Sequence, residues 1–235
     1  MSLNGIFPMD KWDFKSGSIL SGLPENDLDQ LMAHRLEQVY KKGELIFREG
    51  AYPQGIFYIM AGKVKKFKVD ESGREHIVYV ANAGDLIGYH AVLAEERYPD
   101  STAALEESRI AFIPKEDFLD MLNHSGILGR RLLKNLSHEF GVLANGLTLF
   151  TQKSVRERLA LQLVVLREKY KVDFQPGMSV IINMSREDLA GLVGTTKENV
   201  VRVLTEFKQA GMLETRGRKI VIHDVGQLVR IANYR

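Results

Sequence analysis

Hydrophobic positions change their spacing repeatedly along this chain, and each change predicts a different kind of element. In DLDQLMAHRLEQVYK the residues Leu28, Leu31, Met32, Leu36 and Val39 follow helical spacing, which predicts a short helix packed on what comes next. From Lys41 to Ile113 the pattern turns to short alternating or β-branched runs punctuated by Gly43, Gly50, Gly62, Gly73 and Gly84. Strands and tight turns at those intervals predict a small antiparallel sandwich or barrel. Between Gly129 and Phe150 the apolar residues Leu133, Leu136, Phe140, Leu143, Leu147 and Phe150 recur at alternating intervals of three and four. That is a heptad seam about 26 Å long at ~1.5 Å per residue, suited to a coiled-coil dimer helix or to a helix packed on its own domain. Thr151, Gln152 and Lys153 interrupt it. Ser154 with Glu157 then has the spacing of a capping box for a new helix reaching about Tyr170, and Ser179 to Ile182 predicts a short strand.

The pattern from Met184 to Leu213, MSREDLAGLVGTTKENVVRVLTEFKQAGML, predicts two short helices and a tight turn. Ser185 is a good N-cap with Asp188 three residues on, and Leu189, Leu192 and Val193 share one face. Gly194 suits the left-handed exit of that helix. Thr195 or Thr196 caps the second, whose core stripe is Val200, Val203, Leu204 and Phe207. Helices joined by so short a turn cross steeply. The second helix carries Thr196, Lys197, Glu198 and Asn199 in its first turn and Arg202 one turn after Glu198, on one exposed face. Arg reads guanine bidentately, Glu accepts from cytosine N4, Asn pairs with adenine, and a helix N-terminus with Thr and Lys favours phosphate. Glu198 and Arg202 also have the spacing of an ordinary surface ion pair. The segment ETRGRKIVIHD tips the balance toward DNA, because it predicts a β-hairpin whose tip, Arg216-Gly217-Arg218, can lie on a phosphate backbone.

The run GLVGTTKENVVRVLTEFKQAGMLETRGRKIVI resembles the winged helix-turn-helix of the cyclic-AMP receptor protein/FNR (Crp/Fnr) family of bacterial transcription regulators. The family's recognition helix has a basic residue or Ser, then Glu, then Arg one turn on, and these slots fall on Lys197, Glu198 and Arg202. Ser185 matches a family Thr whose hydroxyl can meet a phosphate. The order KKGELIFREG, FYIMAGKVKKFKV, SGREHIVYVANAGDLIG resembles the same family's cyclic-nucleotide-binding β-roll. The resemblance implies an α+β protein with an N-terminal β-roll sensory domain (1–128), a dimerisation helix and hinge (129–153) and a winged helix-turn-helix DNA-binding domain (154–235). It further implies a homodimer on two-fold symmetric double-stranded DNA, with RNA polymerase as a partner.

Charge sharpens that division. Residues 151–235 hold 15 Lys and Arg against 9 Asp and Glu, and residues 1–150 hold 17 against 21, so the half with the helix-turn-helix is the basic one. There is no cysteine, which excludes a disulfide framework, a thiol nucleophile and a cysteine-ligated iron–sulfur cluster in this chain. No apolar run approaches a membrane span and the first residues lack a basic segment followed by an apolar one, so a cytoplasmic protein is expected. The six histidines show no metal-ligand spacing, no catalytic signature has its required context, and neither an enzyme nor a cofactor is expected.

Nucleotide-binding members of the family hold ribose with a Glu and phosphate with an Arg, in a segment like GE(x)ALL…RSATV. Here that segment is GYHAVLAEERYPDSTAAL. The Glu slot falls on Tyr89, and the Arg slot on Pro99 or Tyr98 according to the end counted from. Arg97 is the nearby candidate for phosphate, whereas Asp100 would repel it. The family's base-contacting hydroxyls on the long helix fall on Leu143 and Ala144, which have none. His90 lies in the altered segment and completes the candidate effector contacts Tyr89, His90, Arg97, Tyr98, Asp100, Leu143 and Ala144. An unknown small-molecule effector other than cyclic AMP is expected. Two other readings remain at this stage: a small-molecule-binding module with secondary DNA contacts, and an enzyme using the β-roll cavity.

Overall fold

The computed structural model describes residues 7–13, 16–171 and 179–233. The chain divides into two compact units, one of 14–69 and 78–141, the other of 1–13, 70–77 and 142–235.

The first unit opens with α1 (Gly17–Leu20) and α2 (Glu25–Met32). The helical stripe expected to run on through Leu36 and Val39 stops at Met32. Leu36–Tyr40 is instead a strand, β1, with both Leu36 and Val39 exposed. The reason is a long-range one: LEQVY pairs along its whole length with Ser108–Phe112, and that ladder outweighs a local periodicity that has only five apolar positions behind it. Next come β2 (Leu45–Phe47), β3 (Gly55–Ala61), β4 (Lys63–Val69), β5 (Glu75–Asn82), β6 (Leu86–Ile87), α3 (Tyr89–Ala94), β7 (Ser101–Ala104), β8 (Ser108–Pro114) and α4 (Lys115–His124).

The strands form two antiparallel sheets, in the orders β1-β8-β3-β6 and β2-β7-β4-β5. Phe47, Phe57, Ile59, Val64, Tyr79 and Ile110 fill one core, as inward positions of alternating strands should. A second core lies where the helices cover the roll: Ile19 and Leu31 meet Ile56, Phe118 and the first turns of α5 (Gly126–Gln152) at Leu128 and Leu132.

Helix α5 has two different apolar stripes. Leu128, Leu132, Val142 and Leu149 are buried. The heptad residues Leu133, Phe140 and Leu147 are 68%, 76% and 72% exposed, and Leu143 and Phe150 are also exposed. Leu136 alone of the seam packs partly on the helix-covered core. Burying these rings and branches is worth roughly 1.5–3 kcal/mol each, so a stripe of this size left in water calls for a covering surface.

The second unit contains α6 (Val155–Lys169), β9 (Ile181–Asn183), α7 (Arg186–Val193), α8 (Lys197–Gln209), β10 (Leu213–Arg216), β11 (Lys219–Ile222) and α9 (Val225–Ala232). The capping box that Ser154 and Glu157 predict is present, with each side chain bonded to the other's backbone amide. A three-stranded sheet, β10-β11-β9, closes the wing against the helices. No helix among the described residues is long and apolar enough to cross a membrane.

Candidate nucleic-acid interface

Local chemistry builds the helix pair. Ser185 stands in extended conformation before α7 and its Oγ accepts from the Asp188 amide at 3.0 Å, satisfying one of the free donors at the helix start. At the other end Gly194 has φ +68°, a conformation that strains any residue with a Cβ. Space forbids a side chain there as well, because a Cβ would lie 2.5 Å from the Phe150 ring. Thr196 then caps α8 by accepting from the Asn199 amide. Arg158 of α6 locks this turn from behind: it donates to the carbonyls of Val193 at 2.8 Å, Gly194 at 3.1 Å and Lys153 at 2.7 Å. Val200, Val203, Leu204 and Phe207 are all buried, so α8 has a fixed inner face and its outer face follows from it.

That outer face carries Lys197, Glu198 and Arg202, all exposed. In the free protein each cation has an internal partner. Lys197 reaches Glu187 of α7 at 2.5 Å; this bond holds the Glu187 carboxyl below the ordinary range and raises the lysine. Arg202 pairs forward with Glu206 at 2.8 Å and not backward with Glu198, so the simple surface pair that the spacing allowed is not the one formed. Glu198 is left at the helix start, where the backbone amide and the Thr196 hydroxyl lower its pKa. Asn199 is half-buried and its amide donates to the Thr195 hydroxyl. Exposed ion pairs of this kind are worth at most about 1 kcal/mol, so a guanine edge or a phosphate can displace them.

The wing tip is a two-residue turn, Gly217 and Arg218, between the paired Arg216 and Lys219, and Gly217 has the positive φ such a turn requires. Arg218 is exposed, and Arg216 is held on Glu214 at 2.8 Å. Sequence reasoning missed Arg186, whose Nη2 donates to the Gly217 carbonyl at 3.0 Å and so ties the start of α7 to the wing. Among the described residues no cluster of His, Asp and Glu is arranged to hold a metal ion.

The β-roll places its candidate effector residues differently. Tyr89 is fully buried, and its hydroxyl donates to Glu139 of α5 at 2.8 Å. Asn135 Nδ2 donates to the same carboxylate at 2.8 Å, and His90 Nε2 lies 2.5 Å from its other oxygen. Burial pushes the Glu139 carboxyl up, and the hydrogen bonds from His90, Tyr89 and Asn135 outweigh that and leave it low. Tyr98 is also buried: it stacks on Phe47 at 4.1 Å, donates to the Gly55 carbonyl, and burial raises its phenol to about 12. Asp100 is buried against Lys66 at 3.2 Å. Arg97 is exposed, lying 4.0 Å over the Tyr52 ring and donating to the Gly50 carbonyl. Leu143 and Ala144 are exposed on α5. Both tyrosines of this segment are thus buried and hydrogen-bonded within the protein, and the nearby Arg97 is engaged by Gly50 and the Tyr52 ring.

Comparison with known proteins decides the lineage. Residues 37–125 match the cyclic nucleotide-binding domain and residues 157–231 the Crp-like helix-turn-helix domain, in the order found above. The chain belongs to the Crp/Fnr family. It is 29% identical over 215 residues to the fumarate and nitrate reduction regulatory protein of Escherichia coli (strain K12), covering 90% of this chain and 85% of that one. To the anaerobic regulatory protein of Haemophilus influenzae it is 27% identical over 211 residues, covering 89% and 81%. The fold matches FixK2 from Bradyrhizobium japonicum with a TM-score of 0.73 at 22% identity, covering 84% of this chain and 96% of the other. This Crp/Fnr protein is thus a transcription regulator with a helix-turn-helix DNA-binding domain.

Proposed function

We propose that this Crp/Fnr regulator binds a two-fold symmetric DNA site as a homodimer paired along α5, works through RNA polymerase in the cytoplasm, and answers to an effector other than cyclic AMP. The observation that carries the dimer is the outer stripe of α5, exposed through Leu133, Phe140, Leu143 and Leu147 while the opposite stripe is buried. Phosphate contacts fall to the hydroxyls of Ser185 and Thr196, to Lys197 and to the wing residues Arg216 and Arg218. Base edges fall to Glu198, Asn199 and Arg202.

Arg202→Ala is expected to cost about 1–3 kcal/mol on the best site and to relax the preference at one position of each half-site. Binding measured on the best duplex and its single-base variants checks this. A uniform loss across all of them would make Arg202 a phosphate contact only.

Cyclic AMP is expected to give no heat of binding in calorimetry, because Tyr89 and Tyr98, in the segment that would take its ribose and phosphate, are buried and hydrogen-bonded within the protein. Tight, stoichiometric binding that raises DNA affinity would overturn the effector part of this reading and point to Arg97.

A further inference from the structure

With Tyr89 and Tyr98 buried, the β-roll unit still has an open cavity elsewhere. It lies beside α1, α2 and β3, with a volume of about 500 Å³, within the range of small-molecule sites. Its wall is mostly apolar: Leu23, Leu28, Met32 and Met60 line it with the ring of Tyr58. Leu28, Met32, Tyr58 and Met60 are each only half-buried, so the cavity leaves a cluster of large apolar groups partly in water. Gly84 lines it too, and a Cβ built there would meet nothing within 4 Å.

Polar features define what would fit. The Tyr58 hydroxyl makes no hydrogen bond among the described residues and offers one donor and one acceptor. Asp29 and Arg35 stand at the lining with opposite charge, and Arg35 is already engaged by Glu37 at 3.1 Å and the Met32 carbonyl at 3.2 Å. An anion would find Arg35 already engaged by Glu37, and a cation would find only Asp29, which is exposed and so offers an attraction screened by water. An uncharged molecule loses nothing there and gains the burial of its apolar surface.

We propose that this cavity is a ligand site for an uncharged, mostly apolar small molecule with a single hydroxyl or carbonyl at its polar end, held by Tyr58. Its effect on transcription rests on the DNA-binding reading above; its existence does not. The route to that effect is short, because Leu28 and Met32 belong to the same packed cluster as Leu128 and Leu132 of α5, and an occupant would press on the base of that helix.

The test is a fluorescence titration of the full chain with N-phenyl-1-naphthylamine, an uncharged apolar probe, followed by displacement with 1-decanol. Saturable binding of one probe per chain is expected. Met60→Trp, which fills the cavity from a half-exposed position, should weaken the probe at least tenfold with the melting temperature kept, and Leu28→Trp serves as a second block should Met60→Trp fail to fold. Tyr58→Phe should weaken 1-decanol by roughly threefold to tenfold, the loss of one hydrogen bond. The absence of saturable probe binding, or equal affinity in a folded blocking variant, would overturn the site. A DNA titration of the same protein separates the two claims: wild type that binds the probe but no specific DNA sinks the regulator reading and leaves the cavity standing.

Discussion

Leu143→Glu is expected to yield a folded monomer that has lost at least a hundredfold in affinity for its specific DNA site. The monomer tolerates the change, since Leu143 is exposed on α5 and a carboxylate there stays in water. The proposed dimer does not. Residues on a two-fold axis meet their own symmetry mates, so one substitution places two like charges in an apolar seam, at a cost of several kcal/mol. DNA affinity falls with it, because two recognition helices held in register add their contacts on neighbouring half-sites and a single helix forfeits that gain. Light scattering and a DNA titration read the two effects separately. A variant that remains a tight dimer would place the interface away from the outer stripe of α5.

Glu139→Ala is expected to cost about 3–5 kcal/mol of stability, the scale for breaking a buried charged cluster by removing one partner. The carboxylate is only 6% exposed, and its removal strands the buried Tyr89 hydroxyl as a donor and leaves the buried Asn135 amide with Tyr89 as its one remaining acceptor in the cluster. Glu139→Gln keeps the volume and removes the charge, which makes the same cluster legible through pH. The Glu139 carboxyl is held below its ordinary range in the folded state, so its contribution is complete above the unfolded value of about 4.3 and is lost as pH falls through the lower folded value. Wild type should therefore lose melting temperature below pH 4.3 more steeply than Glu139→Gln. Parallel curves would show that the carboxylate adds nothing specific to the folded state.

What the sequence shows and what it hides follow from the range of the interactions involved. The helix-turn-helix is legible because its determinants are local: Ser185 to Asp188, Gly194 and Thr196 to Asn199 each act within four residues. Leu36–Tyr40 reads as helix because nothing nearby announces its partner strand, which lies about seventy residues on. The cluster around Glu139 joins positions 49 and 50 apart, and no spacing rule connects Tyr89 or His90 to the inner face of α5. Arg186 and Arg158 escaped notice for a related reason. Both act on backbone carbonyls, Gly217 for one and Val193 and Gly194 for the other, and a carbonyl acceptor leaves no mark in a sequence.

The heptad seam is an intermediate case. Periodicity finds the stripe but cannot tell a dimer seam from a helix packed on its own domain. In the structure Leu133, Phe140, Leu143, Leu147 and Phe150 are exposed and Leu136 is half-buried, while a different set, Leu128, Leu132, Val142 and Leu149, is buried.

The most direct measurement of the central claim is a selection of bound sequences from a pool of random DNA duplexes by the full chain. The enriched duplexes should carry two inverted half-sites with centres about 10–10.5 base pairs apart or a multiple of that, and Arg202→Ala should flatten one position in each half. Enrichment of a single unpaired half-site, or none above the unselected pool, would contradict it.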